Sequence, residues 1–369
     1  MLPDVVVTNL HRRFTGVSAT VKALVPHQRQ QLDVAVWDWG GLGLDHGAGG
    51  EVHLAQLLRW GWTAPRVGRW RIWHARRDNE ILIGLLLRSI LRQPWKVVFT
   101  SAAPKRPGWW LRQLLRHCDA VIATSPRSAE FLDRCDVVIF HGVDCQVFQP
   151  LADRQAALAE VGLAGKQVIA SFGRIRPSKG TDLFVEALIQ LLPRHPAWVG
   201  VITGLCQPRD QPYLDSLRQR IVPAGLEQRI WFVGDLEPAE IRRWYQRTSI
   251  CVAASRREGF GLTPLEAMAS GCVPVTSTAG AWPWIIQQDF GYAIEMAQPA
   301  PLLACLDAMV GDAVRIDLMA SAARSIAVAA HSIQHEVDSI HQLYDQLIGC
   351  RQPESNQAAD VRKGFQDSV

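Results

Sequence analysis

The sequence predicts an α/β protein built as two doubly wound parallel-sheet domains with a cleft between them. Three observations predict it. Short apolar runs of strand length alternate with helical patterns throughout, as parallel sheets covered on both faces require. The runs form two series, broken near Pro150 by the aperiodic stretch HGVDCQVFQPLADR. A chain of 369 residues is long enough for two cores of ordinary size.

In the first series, Asp4–Thr8 is a short apolar strand, followed by a Thr-Gly turn at Thr15 and Gly16 and a helix from Ser18. Val34–Trp37, Arg71–His74, Val97–Thr100, Ala120–Ala123 and Val137–Phe140 read as further buried strands. The second series runs through Gln167–Ser171, Val199–Thr203, Ile230–Val233, Ile250–Ala253 and Val273–Thr276. Helical patterns such as Asp182–Leu192 and Pro238–Arg247 separate these strands. One long helical pattern from about Ile316 to Ile348 closes the ordered chain, and the polar stretch beyond Cys350 reads as frayed.

Composition narrows the function classes. A hydrophobic fraction of 48% with 20% charged residues belongs to a globular protein, not a disordered one. Residues 1–150 carry 19 Lys+Arg against 12 Asp+Glu, and the remainder 20 against 23, so the first half is the one suited to an anionic partner. A solvated basic surface is the competing reading. Eight scattered cysteines show no CxxC pair or zinc-ligand spacing and suit a reducing compartment. No signal peptide is evident, and the longest apolar run, Ile81–Leu87, is too short to span a bilayer. The expected location is cytoplasmic, with peripheral attachment at the inner membrane as an option. No nucleic-acid partner is expected.

The informative residues of the second half follow strand ends, where open parallel sheets bind ligands. FGRIRPSKG follows the strand ending at Ser171; Gly173 permits a turn, and Arg174 and Lys179 place two cations beside a helix start, which suits a diphosphate. REGFGLTPLEAMASGCVPV follows Ile250–Ala253. There Gly259 and Gly261, around Phe260 and before Leu262, let backbone N–H groups approach a phosphate. Pro264 suits a first helical turn, and Glu266 in that turn can accept two hydrogen bonds from a ribose diol. Glu258, on the loop, can reach hydroxyls of a neighbouring sugar. Acid, glycine turn and acid in this order match a nucleotide-sugar read from one end to the other. The small residues Ala267, Ala269, Ser270 and Gly271 serve close packing, and Gly280 follows the next strand.

Glu258 and Glu266 in Glu–x7–Glu spacing, with FGRIRPSKG upstream and HGVD…F.P at the boundary, resemble the retaining glycosyltransferases of the GT-B fold, family 4, over nearly the whole chain. The resemblance implies two Rossmann-like domains: residues 1–150 for the acceptor and 151–325 for the nucleotide-sugar. A helix at about 326–348 would cross back to the first domain, and a disordered tail would cover 350–369. It also implies that Arg174 and Lys179 hold the donor diphosphate, Glu258 the donor sugar and Glu266 the ribose, without a metal ion or cofactor. No Asp-x-Asp-like site lies near these motifs.

In the first half, RRFTGVSAT resembles the family's glycine loop. Gly16 would give backbone access to the donor, and Arg12 and Arg13 would meet an anionic acceptor. RIWHARRDNE places His74, Arg76 and Arg77 at a strand end. With FTSAAPKR, this segment looks like the lipopolysaccharide-core mannosyltransferases, which move mannose from GDP-mannose to a Kdo-containing lipid A precursor. That implies an anionic glycolipid or oligosaccharide acceptor, for which arginines are suited. One departure stands out. Many family members carry a histidine after the strand ending near Thr100, where this chain has Ser101, Ala102 and Ala103. Catalytic help would then come from His74 or from the donor phosphate. Another nucleotide-sugar, UDP- or ADP-linked, and an inactive scaffold of the same fold are the alternatives. KRPGWWLRQLLRHCDA mixes Trp109 and Trp110 with cations, as a helix at a membrane interface would, and a helix covering the sheet with its apolar stripe inward is the competing reading.

Overall fold

The computed structural model describes residues 2–12, 15–44 and 51–349. Two six-stranded sheets form, and every strand pairing given is parallel. The first has the order β2-β1-β3-β4-β5-β6. Its strands are β1 (Val5–Asn9), β2 (Val34–Asp38), β3 (Arg71–Ala75), β4 (Trp95–Ser101), β5 (Ala120–Ala123) and β6 (Val137–Val138). The second has the order β12-β11-β10-β7-β8-β9. It comprises β7 (Gln167–Phe172), β8 (Trp198–Thr203), β9 (Ile230–Gly234), β10 (Ile250–Ala253), β11 (Val273–Thr276) and β12 (Tyr292–Ala293). In both sheets the order reverses beside the first strand of the series, as doubly wound sheets do. The chain divides into two compact units. One contains Met1–Phe99, Leu114–Ala120 and the chain from Val337; the other contains Thr100–Gln113 and Val121–Glu336.

The apolar runs become central strands because both faces are covered. All five residues of β1 and all four of β10 and of β11 are buried. In the first unit, Trp37, Trp73 and Trp95 interlock edge to face, with centroids 5.4 and 5.7 Å apart. The Trp73 indole donates to the Glu80 carbonyl at 2.8 Å, and the Gln93 side-chain oxygen accepts from Trp95 at 2.8 Å. In the second unit, helix Thr181–Leu191 sinks Leu183, Phe184, Val185, Ala187, Leu188 and Leu191 into the core. On a separate cluster, Leu265, Met268 and Ala269 of helix Thr263–Ala269 pack with Ala323 and Ala327. Ala267 and Ala269 have no exposed surface, as the small-residue run requires for close approach.

Three details differ from the sequence reading. The long pattern from Ile316 is two helices, Ala313–Ala330 and Ile333–Ile348. The break has a partner: Val143 donates to the His331 carbonyl at 2.9 Å and accepts from Ile333 N–H at 2.8 Å, so these groups leave the helical ladder. β12 was not expected, since two residues carry no period. β6 spans two residues where four were expected. The stretch beyond Cys350, expected to be frayed, lies outside the described residues. Among the described residues, no helix is long and apolar enough to cross a membrane.

Candidate functional site

β7 ends at Phe172, and Gly173 follows with φ +128°, a conformation only glycine adopts readily. Arg174 next to it is exposed and makes no hydrogen bond or ion pair among the described residues. A single 3-10 turn, Pro177–Lys179, leads to Gly180 at φ +70°. A Cβ there would lie 2.0 Å from the Ala254 carbonyl oxygen. Glycine is therefore what lets the start of helix Thr181–Leu191 sit against the end of β10.

Lys179 meets Glu258 at this point, Nζ to Oε2 at 2.5 Å, with both side chains about one-fifth exposed. The other carboxylate oxygen of Glu258 accepts from the Gly259 N–H at 3.1 Å. Gly173, Lys179 and Glu258 line one cleft together with Ser171, Thr263 and Trp282. Arg174 borders it in sequence, and Glu266 lies one helical turn beyond Thr263. Gly261 has φ +87°, and a Cβ on it would meet the Trp282 ring at 2.6 Å; the Trp282 indole donates to the Gly261 carbonyl at 2.9 Å. Gly280 leaves room for the Phe260 carbonyl and the Glu258 stem. The Phe260 side chain is 4% exposed and packs on His141, with centroids 4.9 Å apart, and Leu262 packs on the same cluster. As a donor contact Phe260 thus has only its backbone to offer.

Glu266 is half-buried and accepts from the Tyr245 hydroxyl at 2.7 Å. Burial raises its pKa, and the Tyr245 hydrogen bond offsets part of that rise. Tyr245 is stacked on Phe172, with centroids 3.8 Å apart and planes 16° apart. Sequence reasoning missed Tyr245, whose helix Pro238–Arg247 gives no sign of which face meets Glu266. It also missed a clamp on the loop that carries Glu258. Arg256 donates to both oxygens of Asp182 at 2.8 and 2.7 Å and to the Pro177 carbonyl at 2.6 Å, while Tyr213 donates to Asp182 at 2.8 Å. Burial works against an ionised Asp182, but Arg256 and Tyr213 outweigh it and hold its pKa low.

The first-half candidates lie in the other unit. Gly16 opens helix Gly16–Gln28, two residues earlier than expected, with open space where a Cβ would stand. Arg12 is exposed; Arg13 lies outside the described residues. Arg77 donates to the Thr15 hydroxyl at 3.1 Å, and Arg76, 8% exposed, reaches the Thr20 hydroxyl at 3.5 Å. His74 has no exposed surface, and its Nδ1 is 2.5 Å from the Tyr344 hydroxyl. Burial, helped by Arg76, holds its pKa well below the ordinary histidine value. A side chain so enclosed reaches no substrate from this position, so the expected catalytic role of His74 is not carried forward. The organising group here is Glu80, which is fully buried. It accepts from Thr8 Oγ1 at 2.9 Å, Arg76 N–H at 2.7 Å and Leu10 N–H at 3.0 Å, joining the ends of β1 and β3.

The sequence model for glycosyl transferases group 1 matches residues 153–320. The lipopolysaccharide core biosynthesis mannosyltransferase LpcC of Rhizobium leguminosarum bv. viciae is 39% identical, over 94% of this chain and 97% of its own. The chain belongs to the group 1 glycosyltransferases. A second relative of this glycosyltransferase, the lipopolysaccharide core biosynthesis mannosyltransferase LpsB of Rhizobium meliloti (strain 1021), is 37% identical over 94% of this chain and 98% of its own. Among solved structures, the C-terminal domain of a glycosyl transferase group 1 family protein (LpcC) from Francisella tularensis is 39% identical. It covers 52% of this chain and all of that one, with a TM-score of 0.50. Anabaena HepE, solved with UDP, has a TM-score of 0.79 over 93% of this chain and 99% of its own at 19% identity, a likeness of fold. The fold of this glycosyltransferase is GT-B.

Proposed function

We propose that the glycosyltransferase moves mannose from GDP-mannose to a lipopolysaccharide-core acceptor bearing Kdo, with retention at the anomeric carbon and without a metal ion or cofactor. The observation that carries the reading is the cluster at the ends of β7 and β10, where Lys179 and Glu258 meet beside the Gly173 turn and the exposed Arg174, which has no partner among the described residues. Mannose and the core acceptor are supported by the names of the two relatives matched over nearly their whole length.

Departure of the diphosphate is the hard step. Negative charge grows on it, so cations fixed in advance accelerate the reaction. Arg174 supplies one such charge and Lys179 the other. To use it, the donor draws Lys179 from Glu258; the freed carboxylate then accepts hydrogen bonds from sugar hydroxyls. Glu266, steadied by Tyr245, holds the ribose diol. The acceptor hydroxyl attacks the face that the phosphate leaves, the bond from the anomeric carbon to the phosphate oxygen breaks, and the hydroxyl proton passes to that oxygen. An anionic glycolipid acceptor would be met at the cytoplasmic face of the inner membrane, with Arg12, Arg13 and Arg77 on the acceptor side and the buried Arg76 left as a support behind them.

Thermal shift with GDP, UDP and ADP tests the base, because a bound nucleotide raises the melting temperature. Transfer assays then pair the preferred nucleotide's sugars with Kdo-containing lipid A, with and without EDTA, and NMR of the product reads the anomer. Preference for UDP or ADP, an inverted product, or a reaction lost in EDTA each removes the corresponding part of the proposal. Binding without any transfer would favour a scaffold.

A further inference from the structure

The unit that contains Gly16 carries a second surface besides the candidate site. Leu10, Trp37, Trp39, Leu54, Ile83 and Leu86 line an apolar groove. Trp39 is 57% exposed and Leu86 46%, and Ile90, just past the end of helix Asp78–Ser89, is 70% exposed. Helix Leu54–Trp60 and the turn after it extend the apolar face with Leu58, Trp60 and Trp62, all exposed. The Trp62 indole donates to the Leu91 carbonyl at 2.7 Å, and Gln93 donates to the Leu57 carbonyl at 3.0 Å, so these segments form one continuous surface. Exposed apolar area on this scale marks a contact site.

The same helix end borders a second, basic pocket, which includes Arg88, Arg92, Lys96, Arg116 and His117. Among the described residues that line it, Asp119 is the one acid, taking Arg88 at 2.6 Å and Lys96 at 3.0 Å. Arg92 and Arg116 are exposed. Arg92 is also the one described non-glycine residue with positive φ, at 53°, a conformation held at an energetic cost. Leaving out the buried Arg71, Arg76 and Glu80, residues 54–96 carry seven Lys and Arg against one acid, Asp78, so the charge complement of this face is an anion.

We propose that this face seats on an anionic phospholipid bilayer. Trp39, Trp62, Leu86 and Ile90 enter the interfacial layer, and Arg88, Arg92 and Arg116 bind headgroup phosphates. Exposed tryptophans rimmed by arginines match the layered chemistry of a membrane surface, apolar below and anionic above. The inference deepens the membrane-side part of the reading above and rests on that part alone. Vesicle binding by a protein that transfers no sugar would separate the two.

The test is flotation of the full-length protein with phosphatidylglycerol-rich vesicles and with pure phosphatidylcholine vesicles. Expected is binding to the anionic vesicles, weakened by salt. It should fall about tenfold or more in Leu86→Glu/Ile90→Glu and in Arg92→Glu/Arg116→Glu, both with unchanged circular dichroism and melting temperature. Four results would overturn the proposal: no flotation of the wild type, equal binding to both vesicles, wild-type binding by either variant, or loss confined to Trp109→Ala/Trp110→Ala. A concentration-dependent dimer abolished by Leu86→Glu/Ile90→Glu, in a protein that ignores vesicles, would make a second copy the occupant and overturn it too.

Discussion

Arg174→Ala and Lys179→Met should slow the same step yet differ in what they do to the fold. Arg174 is exposed and has no partner among the described residues, so its removal should change stability by no more than about 0.5 kcal/mol. Lys179 is held by Glu258 at 2.5 Å with both side chains about one-fifth exposed, between the surface and buried regimes. Breaking such a pair costs about 1–3 kcal/mol, because Glu258 keeps a charge without its counter-charge. In units of this size that is a fall of roughly 3–9 °C in Tm. Each substitution removes one preorganised cation from the leaving diphosphate, worth about 10²–10³ in kcat. Lys179→Met/Glu258→Gln, which deletes both charges, should recover most of the lost stability and none of the rate. Scanning fluorimetry reads the first quantity and single-turnover donor consumption the second. Near-wild-type turnover by Arg174→Ala, or a Lys179→Met that melts where the wild type does, would refute these roles.

Other outcomes follow from the same geometry. Gly180→Ala sets a Cβ against the Ala254 carbonyl at a left-handed position and should cost roughly 2 kcal/mol or more, read as a lowered Tm. Tyr245→Phe removes the hydrogen bond to Glu266 and should weaken nucleotide affinity about fivefold, for a loss of about 1 kcal/mol, measured by calorimetric titration. Because burial raises the Glu266 pKa, nucleotide affinity should decline with acidification at a higher pH than an ordinary carboxylate would give. The stability contributed by its protonated form should be lost as pH rises through the same window, and Glu266→Gln should flatten both trends. The pH–rate profile should carry no limb from His74, which burial keeps neutral near pH 7; a limb near pH 6.5 that vanishes in His74→Gln would contradict its placement.

The strands were legible because buried parallel strands write themselves as apolar runs: β10 and β11 begin and end at the residues the pattern marks. The turns at Gly173 and Gly261 were legible for a related reason, since both have backbone angles that few other residues adopt. Long-range pairing was not. Lys179 and Glu258 are 79 positions apart, and Tyr245 and Glu266 belong to different helices, so no local period reports either contact. His74 misled because a histidine at a strand end reads alike whether it faces solvent or, as here, a tyrosine 270 positions away. The break at His331 was hidden because its cause, the Val143 backbone, lies far off in sequence.

The interlocked indoles of Trp37, Trp73 and Trp95 also give the molecule an optical signature. Aromatic transitions held edge to face at such spacing couple to one another, so they add to near-ultraviolet dichroism more than isolated rings do. All three belong to the unit that begins the chain. Their contribution is lost when this unit melts, whereas the Phe172–Tyr245 and Trp231–Trp244 pairs report the other unit, so the two halves of the enzyme carry separate label-free reporters.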